Sequence, residues 1–160
     1  MDVSHLNEKS FWDVADSANV IITASHSNAK ALCNAKRNLT DDQIKEIGRS
    51  DGIIGINTYA EFVAERAEDR TVDRLIEHVL YIADLIGIEH VGCGFDFFEF
   101  LNEESMRSMT DAKTPAVQGM EDSSRVQVMF EGLRNRGLSQ SELELIGYKN
   151  WHRVIKNSIG

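Results

Sequence analysis

Asp2-Val3-Ser4-His5 and, after one amphipathic stretch, Val20-Ile21-Ile22-Thr23-Ala24-Ser25-His26-Ser27 are two apolar segments, each ending in a Ser-His pair. Between them Phe11, Val14, Ala15 and Ala18 recur at i, i+3, i+4, i+7, one apolar stripe on a helix entered through Asn7. The unit is therefore strand, helix, strand, with an imidazole at each strand end. In parallel α/β folds ligands and metals gather at the C-terminal ends of the strands, so His5 and His26 are placed to face one shared site.

The same alternation continues. Val20 to Ala24 lacks helical periodicity and reads as a strand covered on both faces. Thr40 with Gln43 predicts a capping box for a helix through Ile44 and Ile47, ended by Gly52. Ile53 to Ile56 form the next buried strand, with Asn57-Thr58-Tyr59 at its outgoing end. Thr71 caps a helix whose face carries Leu75, Val79, Ile82, Ala83 and Ile86, and Gly87 stops it. His90-Val91-Gly92-Cys93-Gly94-Phe95-Asp96 is a last strand ending in a carboxylate. Periodicity is lost from Phe97 to about Asp122, a long loop of the kind that serves function or moves. One helix then carries Val126, Met129, Phe130 and Leu133, a second opens at a Ser139/Glu142 capping box, and a last runs from Asn150 through Ile155. Four strands alternating with helices predict a parallel sheet with right-handed crossovers.

Composition narrows the functional classes. With 160 residues, 42% of them apolar, the chain makes one domain at most, and a formal charge of −9 with a pI near 5.0 argues against nucleic acid or an anionic membrane as partner. Cys33 and Cys93 form no CxxC and no disulfide framework, which fits a reducing cytoplasm. No apolar run approaches the ~20 residues a membrane helix needs, and no secretory signal pattern is present.

Two imidazoles and Asp96 at one rim predict a partial zinc site, with Asp96 passing a proton from an activated water to the leaving group. Hydrogen-bonded Ser-His pairs with a purely structural role are the other reading of the same residues. His78 within a helix and His152 near the last helix read as structural or surface residues, and His90 stands at the wrong end of its strand for the rim.

These segments, together with Arg37-Asn38-Leu39-Thr40-Asp41, Gly52-Ile53-Ile54-Gly55-Ile56-Asn57, Gly119-Met120-Glu121-Asp122, Arg136-Gly137 and Asn150-Trp151-His152-Arg153-Val154, resemble successive motifs of the membrane (renal-type) dipeptidase family of zinc peptidases. The resemblance covers the C-terminal half of that family's fold. It implies a partial (β/α)₈ TIM-type barrel of about four βα units plus extra C-terminal helices, residues 1–160 forming one half-barrel portion. It also implies hydrolysis of dipeptides at two zinc ions, with His5 and His26 as ligands of one zinc. Asp96 would act on the water and the substrate amine, Arg37 would pair with the substrate carboxylate, and Tyr59 would border the substrate pocket.

The chain departs from the family pattern in four respects. The family's His-x-Asp pair, its bridging glutamate and the histidine that polarises the scissile carbonyl have no counterpart, and the usual Asp-Phe-Asp-Gly reads Asp96-Phe97-Phe98-Glu99. One weakly bound zinc or none is therefore the expectation for the isolated chain. Two readings follow: the C-terminal portion of a dipeptidase whose N-terminal half is absent from this sequence or encoded separately and which acts only when both halves meet, or a non-catalytic half-barrel that self-associates or pairs with a separate N-terminal half to bury its edges.

Overall fold

A computed structural model describes residues 1–17, 20–102, 104–105 and 115–160. Its centre is a parallel sheet of β1 (Thr23–Ala24), β2 (Ile53–Ile56) and β3 (Val91–Cys93), in that spatial order. Ala24 pairs with Ile54, and Ile54 with Val91, so the chain advances one strand per βα unit. All four residues of β2 are buried, as a strand covered on both faces requires.

Among the described residues three strands stand where the sequence predicts four. Residues 1–3 do run alongside β1, with Val3 N donating to Thr23 O and Thr23 N to Met1 O, both at 2.8 Å, but the pairing is a single parallel bridge at Asp2 and Thr23. The cause lies in the Asp2 carboxylate, which takes the Ser4 and Ser25 backbone N–H groups that would otherwise extend the ladder. β1 is also shorter than the predicted Val20 to Ala24, because Ile22 N donates to the Ser50 hydroxyl instead of a strand. β3 stops at Cys93, three residues before Asp96, and Gly94 N adds one more bond to Ile56 O.

Helices begin where side chains cap them. Asn7 opens α1 (Glu8–Ala15), and Thr40 forms the predicted capping box with Gln43 at the start of α2 (Asp41–Arg49). α2 ends at Arg49, before Gly52, which has a different duty: a Cβ there would lie 1.8 Å from Ile22 O. Ala18 of the predicted first stripe lies outside the described residues. After the short α3 (Ala60–Val63), Thr71 caps α4 (Val72–Ile86), which Gly87 ends at φ 95°. Ile44 and Ile47 of α2 and Leu75, Val79 and Ile82 of α4 are buried in one core with the sheet.

The predicted loop from Phe97 to Asp122 falls partly outside the described residues, but from Pro115 the chain is anchored. Ala60 N donates to Pro115 O at 2.7 Å, Gln118 pairs with Thr71, and Val117 and Met120 are fully buried. Then come α5 (Val126–Asn135) and α6 (Gln140–Glu144), the latter opened by the predicted Ser139/Glu142 box. A π-turn at Leu145–Lys149 joins α6 to α7 (Asn150–Ile159).

α7 alters the expected picture of bare sheet edges. Asn150 Nδ2 donates to Val91 O at 2.7 Å and Trp151 Nε1 to Cys93 O at 2.8 Å, so helix side chains cover β3 carbonyls. Among the described residues no helix is long and apolar enough to cross a membrane.

Candidate functional site

The outgoing ends of the strands are drawn together by two glycines. A Cβ on Gly55 would lie 2.1 Å from Ser25 O and one on Gly94 2.0 Å from the same atom, so only hydrogen at both positions lets the three strand ends meet beneath the rim. His5 and His26 emerge there. Their Nε2 atoms are 2.9 Å apart and their rings meet edge to face at 4.9 Å between centroids.

Arg37 joins them from the segment after β1. Its Nε donates to Ser4 O at 3.1 Å, Nη1 to His5 Nδ1 at 3.1 Å and Nη2 to His26 Nε2 at 3.3 Å. The predicted pair of histidines and the predicted arginine thus form one cluster. That segment is pinned from below by His78, which is fully buried: its Nδ1 accepts from Ala29 N and its Nε2 donates to Val63 O. Burial holds the His78 imidazole down to a pKa of about 4, so it is a neutral structural pin. His90 bonds Gly52 O at the incoming strand end and His152 is exposed on α7, both away from the rim.

Asp96 follows β3 with φ 59°, a left-handed conformation rare outside glycine that aspartate tolerates better than most residues. Its Oδ2 accepts from Asn57 Nδ2 at 3.4 Å, and its charge acts on both His26 and Arg37. Desolvation lowers the His26 pKa despite that carboxylate, which keeps the ring neutral and able to act as a donor to a metal.

Tyr59 stands one shell further out. Its ring packs on Phe62 at 4.7 Å and Phe98 at 5.9 Å, while the Arg37 guanidinium lies over the same Phe62 ring at 5.6 Å. Phe62, absent from the sequence reading, is therefore the link between the arginine and the tyrosine.

Sequence reasoning also passed over the supports of the site. The Asp2 carboxylate accepts from Ser4 Oγ at 2.9 Å and from Ser25 Oγ at 2.6 Å, and Ser25 Oγ meets His26 Nδ1 at 2.8 Å. Burial would raise the Asp2 pKa, but the bonds from the Ser25 hydroxyl, the Ser25 and Ser4 backbones and the Ser4 hydroxyl together bring it down to about 2. The signal was present in the Asp-x-Ser-His spacing, whose first residue carried no obvious role.

Among the described residues no group of three or more His, Cys, Asp or Glu side chains is arranged to hold a metal ion. The donor set nevertheless fits part of one. Two imidazole Nε2 atoms lie 2.9 Å from each other, and the His26 ring has its other nitrogen bonded to a hydroxyl backed by a carboxylate, as metal-binding histidines commonly do.

Comparison with known proteins shows what the chain is similar to. Residues 1–158 match the family model of membrane dipeptidases, peptidase family M19. An uncharacterised protein encoded beside pqqA in Klebsiella pneumoniae is 34% identical over 98% of this chain and 54% of its own length. An uncharacterised dipeptidase of Schizosaccharomyces pombe is 31% identical over 99% of this chain and 36% of its own. Among solved structures, a Rhodobacter sphaeroides metallopeptidase liganded with a phosphinate mimic of L-Ala-D-Ala superposes with a TM-score of 0.82 at 29% identity, over 98% of this chain and 42% of that one. The chain thus spans between about a third and a half of the length of these relatives. It belongs to the membrane dipeptidase family.

Proposed function

We propose that this member of the membrane dipeptidase family contributes half of a zinc-dependent dipeptidase site, carried on a partial (β/α)₈ barrel. The observation that carries the reading is the convergence of the His5 and His26 Nε2 atoms at 2.9 Å, at the outgoing end of a parallel sheet and in contact with Arg37. His5 and His26 would hold one zinc ion. The chemistry such an ion supplies when bound is Lewis-acid polarisation of the peptide carbonyl and activation of water.

The chain's own residues do the rest. Arg37 presents a planar fork suited to the carboxylate of a dipeptide, and the Phe62 ring against it limits how far the guanidinium can swing. Asp96, oriented by Asn57, is the carboxylate positioned to take a proton from water and return it to the leaving amine. Tyr59, stacked on Phe62 and Phe98, lines the outer side of the substrate pocket.

Two imidazoles are too few to hold the two zinc ions of the family site, so ligands beyond these residues would have to complete it. Dipeptide hydrolysis is expected when the chain is combined with the corresponding segment of a full-length relative, and weak binding of a single zinc is expected without it. Zinc titration of the purified chain tests the site: uptake should be lost in His5→Ala and His26→Ala, and uptake unchanged in both variants would overturn the reading. Hydrolysis of L-Ala-D-Ala by the complemented protein, abolished in Asp96→Asn with zinc content intact, tests the activity.

A further inference from the structure

We propose that Asp2 and Ser25 are positioning residues that fix the tautomer of His26, keeping its proton on Nδ1 so that Nε2 offers a lone pair. Counting hydrogens decides the assignment. An ionised carboxylate only accepts, and a serine hydroxyl has one proton to give. At 2.6 Å from Asp2 Oδ2, the Ser25 hydroxyl gives it to the carboxylate. Ser25 Oγ can then meet His26 Nδ1 at 2.8 Å only as acceptor, so Nδ1 carries a hydrogen. Ser4 does not compete, because its own proton faces Asp2 Oδ1 at 2.9 Å while its oxygen takes the His26 backbone N–H at 3.0 Å.

The other end of the ring gives the same answer independently. A guanidinium has no acceptor, so Arg37 Nη2 at 3.3 Å requires His26 Nε2 to be unprotonated. His5 is the opposite case. Arg37 Nη1 donates to its Nδ1 at 3.1 Å, so His5 carries its proton on Nε2 and gives it to His26 Nε2 at 2.9 Å. This arrangement of protons gives a donor to each contact made by the His26 ring, with His5 and Arg37 sharing the one Nε2 lone pair, and leaves only the 3.2 Å contact between the Ser4 and Ser25 hydroxyls without a hydrogen. His26 is preset as a donor, whereas His5 must release its Nε2 proton and its bond to Arg37 before it can ligate.

The inference builds on the proposed zinc site, but its direct readout does not need the metal. Long-range ¹H–¹⁵N correlation spectra of the metal-free chain should show His26 as the Nδ1–H tautomer and His5 as the Nε2–H tautomer. Ser25→Ala and Asp2→Asn should move His26 toward Nε2–H, and Ser25→Thr, which keeps the hydroxyl, should restore it. In zinc titrations Ser25→Ala should weaken binding by roughly 10- to 100-fold, the usual effect of removing such a support. His26 found as Nε2–H in the unmodified chain, or unmoved in both Ser25→Ala and Asp2→Asn, would overturn the relay whether or not a variant is hard to fold. Zinc uptake indifferent to His26→Ala, alongside the expected tautomer shifts, would instead sink the zinc reading and leave the relay standing.

Discussion

Asn28 and Asn57 hold each other through a reciprocal pair of bonds: Asn57 N donates to Asn28 Oδ1 at 3.0 Å, and Asn28 Nδ2 donates to Asn57 O at 2.9 Å. Both residues are fully buried, so the pair ties the segment leaving β1 to the one leaving β2 without help from water. Asn57 then carries the tie onward, accepting from Tyr59 N through Oδ1 and donating to Asp96 through Nδ2.

Asn28→Leu should therefore be costly, because it leaves the Asn57 N–H and C=O buried without these partners. A loss of about 2–3 kcal/mol is expected from desolvated groups of this kind. Urea unfolding of the two proteins reads it, and a loss below about 0.5 kcal/mol would show that the tie is dispensable.

His78 predicts a pH dependence of stability. Its pKa is lowered from 6.5 in the unfolded chain to about 4 in the fold, chiefly by burial, so the unfolded state binds the extra proton first as pH drops. The stabilisation is complete above pH about 6.5, declines as pH falls, and levels off below about 4; it amounts to roughly 3 kcal/mol. His78→Gln lacks this titration, so between pH 7 and 4 the unmodified chain should lose about that much more stability than the variant. Parallel stability curves would count against the assignment.

The approach of strand ends at Ser25 predicts that Gly94 tolerates no side chain. A Cβ there would sit 2.0 Å from Ser25 O, and the neighbour is backbone that cannot step aside. Gly94→Ala should cost at least the 1–3 kcal/mol typical of forced overpacking and should also disturb the Ser25–His26 contact. Gly137→Ala is the control: with no atom within 4 Å of the added Cβ and a φ of 97°, it bears only backbone strain, about 1–2 kcal/mol. Equal effects of the two substitutions on the His26 ring spectrum would argue against strand approach as the cause.

Trp151→Phe removes the Nε1–H that caps Cys93 O while keeping an aromatic ring against Gly92. A loss of about 1 kcal/mol is expected for the missing bond. Concentration-dependent sedimentation would show whether the uncapped edge of β3 recruits another strand, and an unchanged monomer fraction together with unchanged stability would mean the cap is inert.

Much of the architecture was legible along the chain. The caps at Thr40, Thr71 and Ser139, the stop at Gly87 and the buried run of Ile53–Ile56 all appear as read, since each depends on residues three or four positions apart. The Ser-His pairs likewise announced imidazoles at strand ends. Strand lengths were less legible, because the ends of β1 and of the Asp2 bridge are set by acceptors on Ser50 and Asp2, which periodicity does not register.

Local sequence thus specified a βα succession and the residue types available for chemistry at its rim. It left open which of them would touch. Asp2, Ser25, His26, Arg37, Asn57 and Asp96 meet only because parallel register and two side-chain-free glycines bring three strand ends onto one carbonyl, Ser25 O. The tautomers, too, belong to that assembly: which nitrogen keeps a proton depends on donors and acceptors delivered from up to dozens of residues away, and no local pattern encodes it.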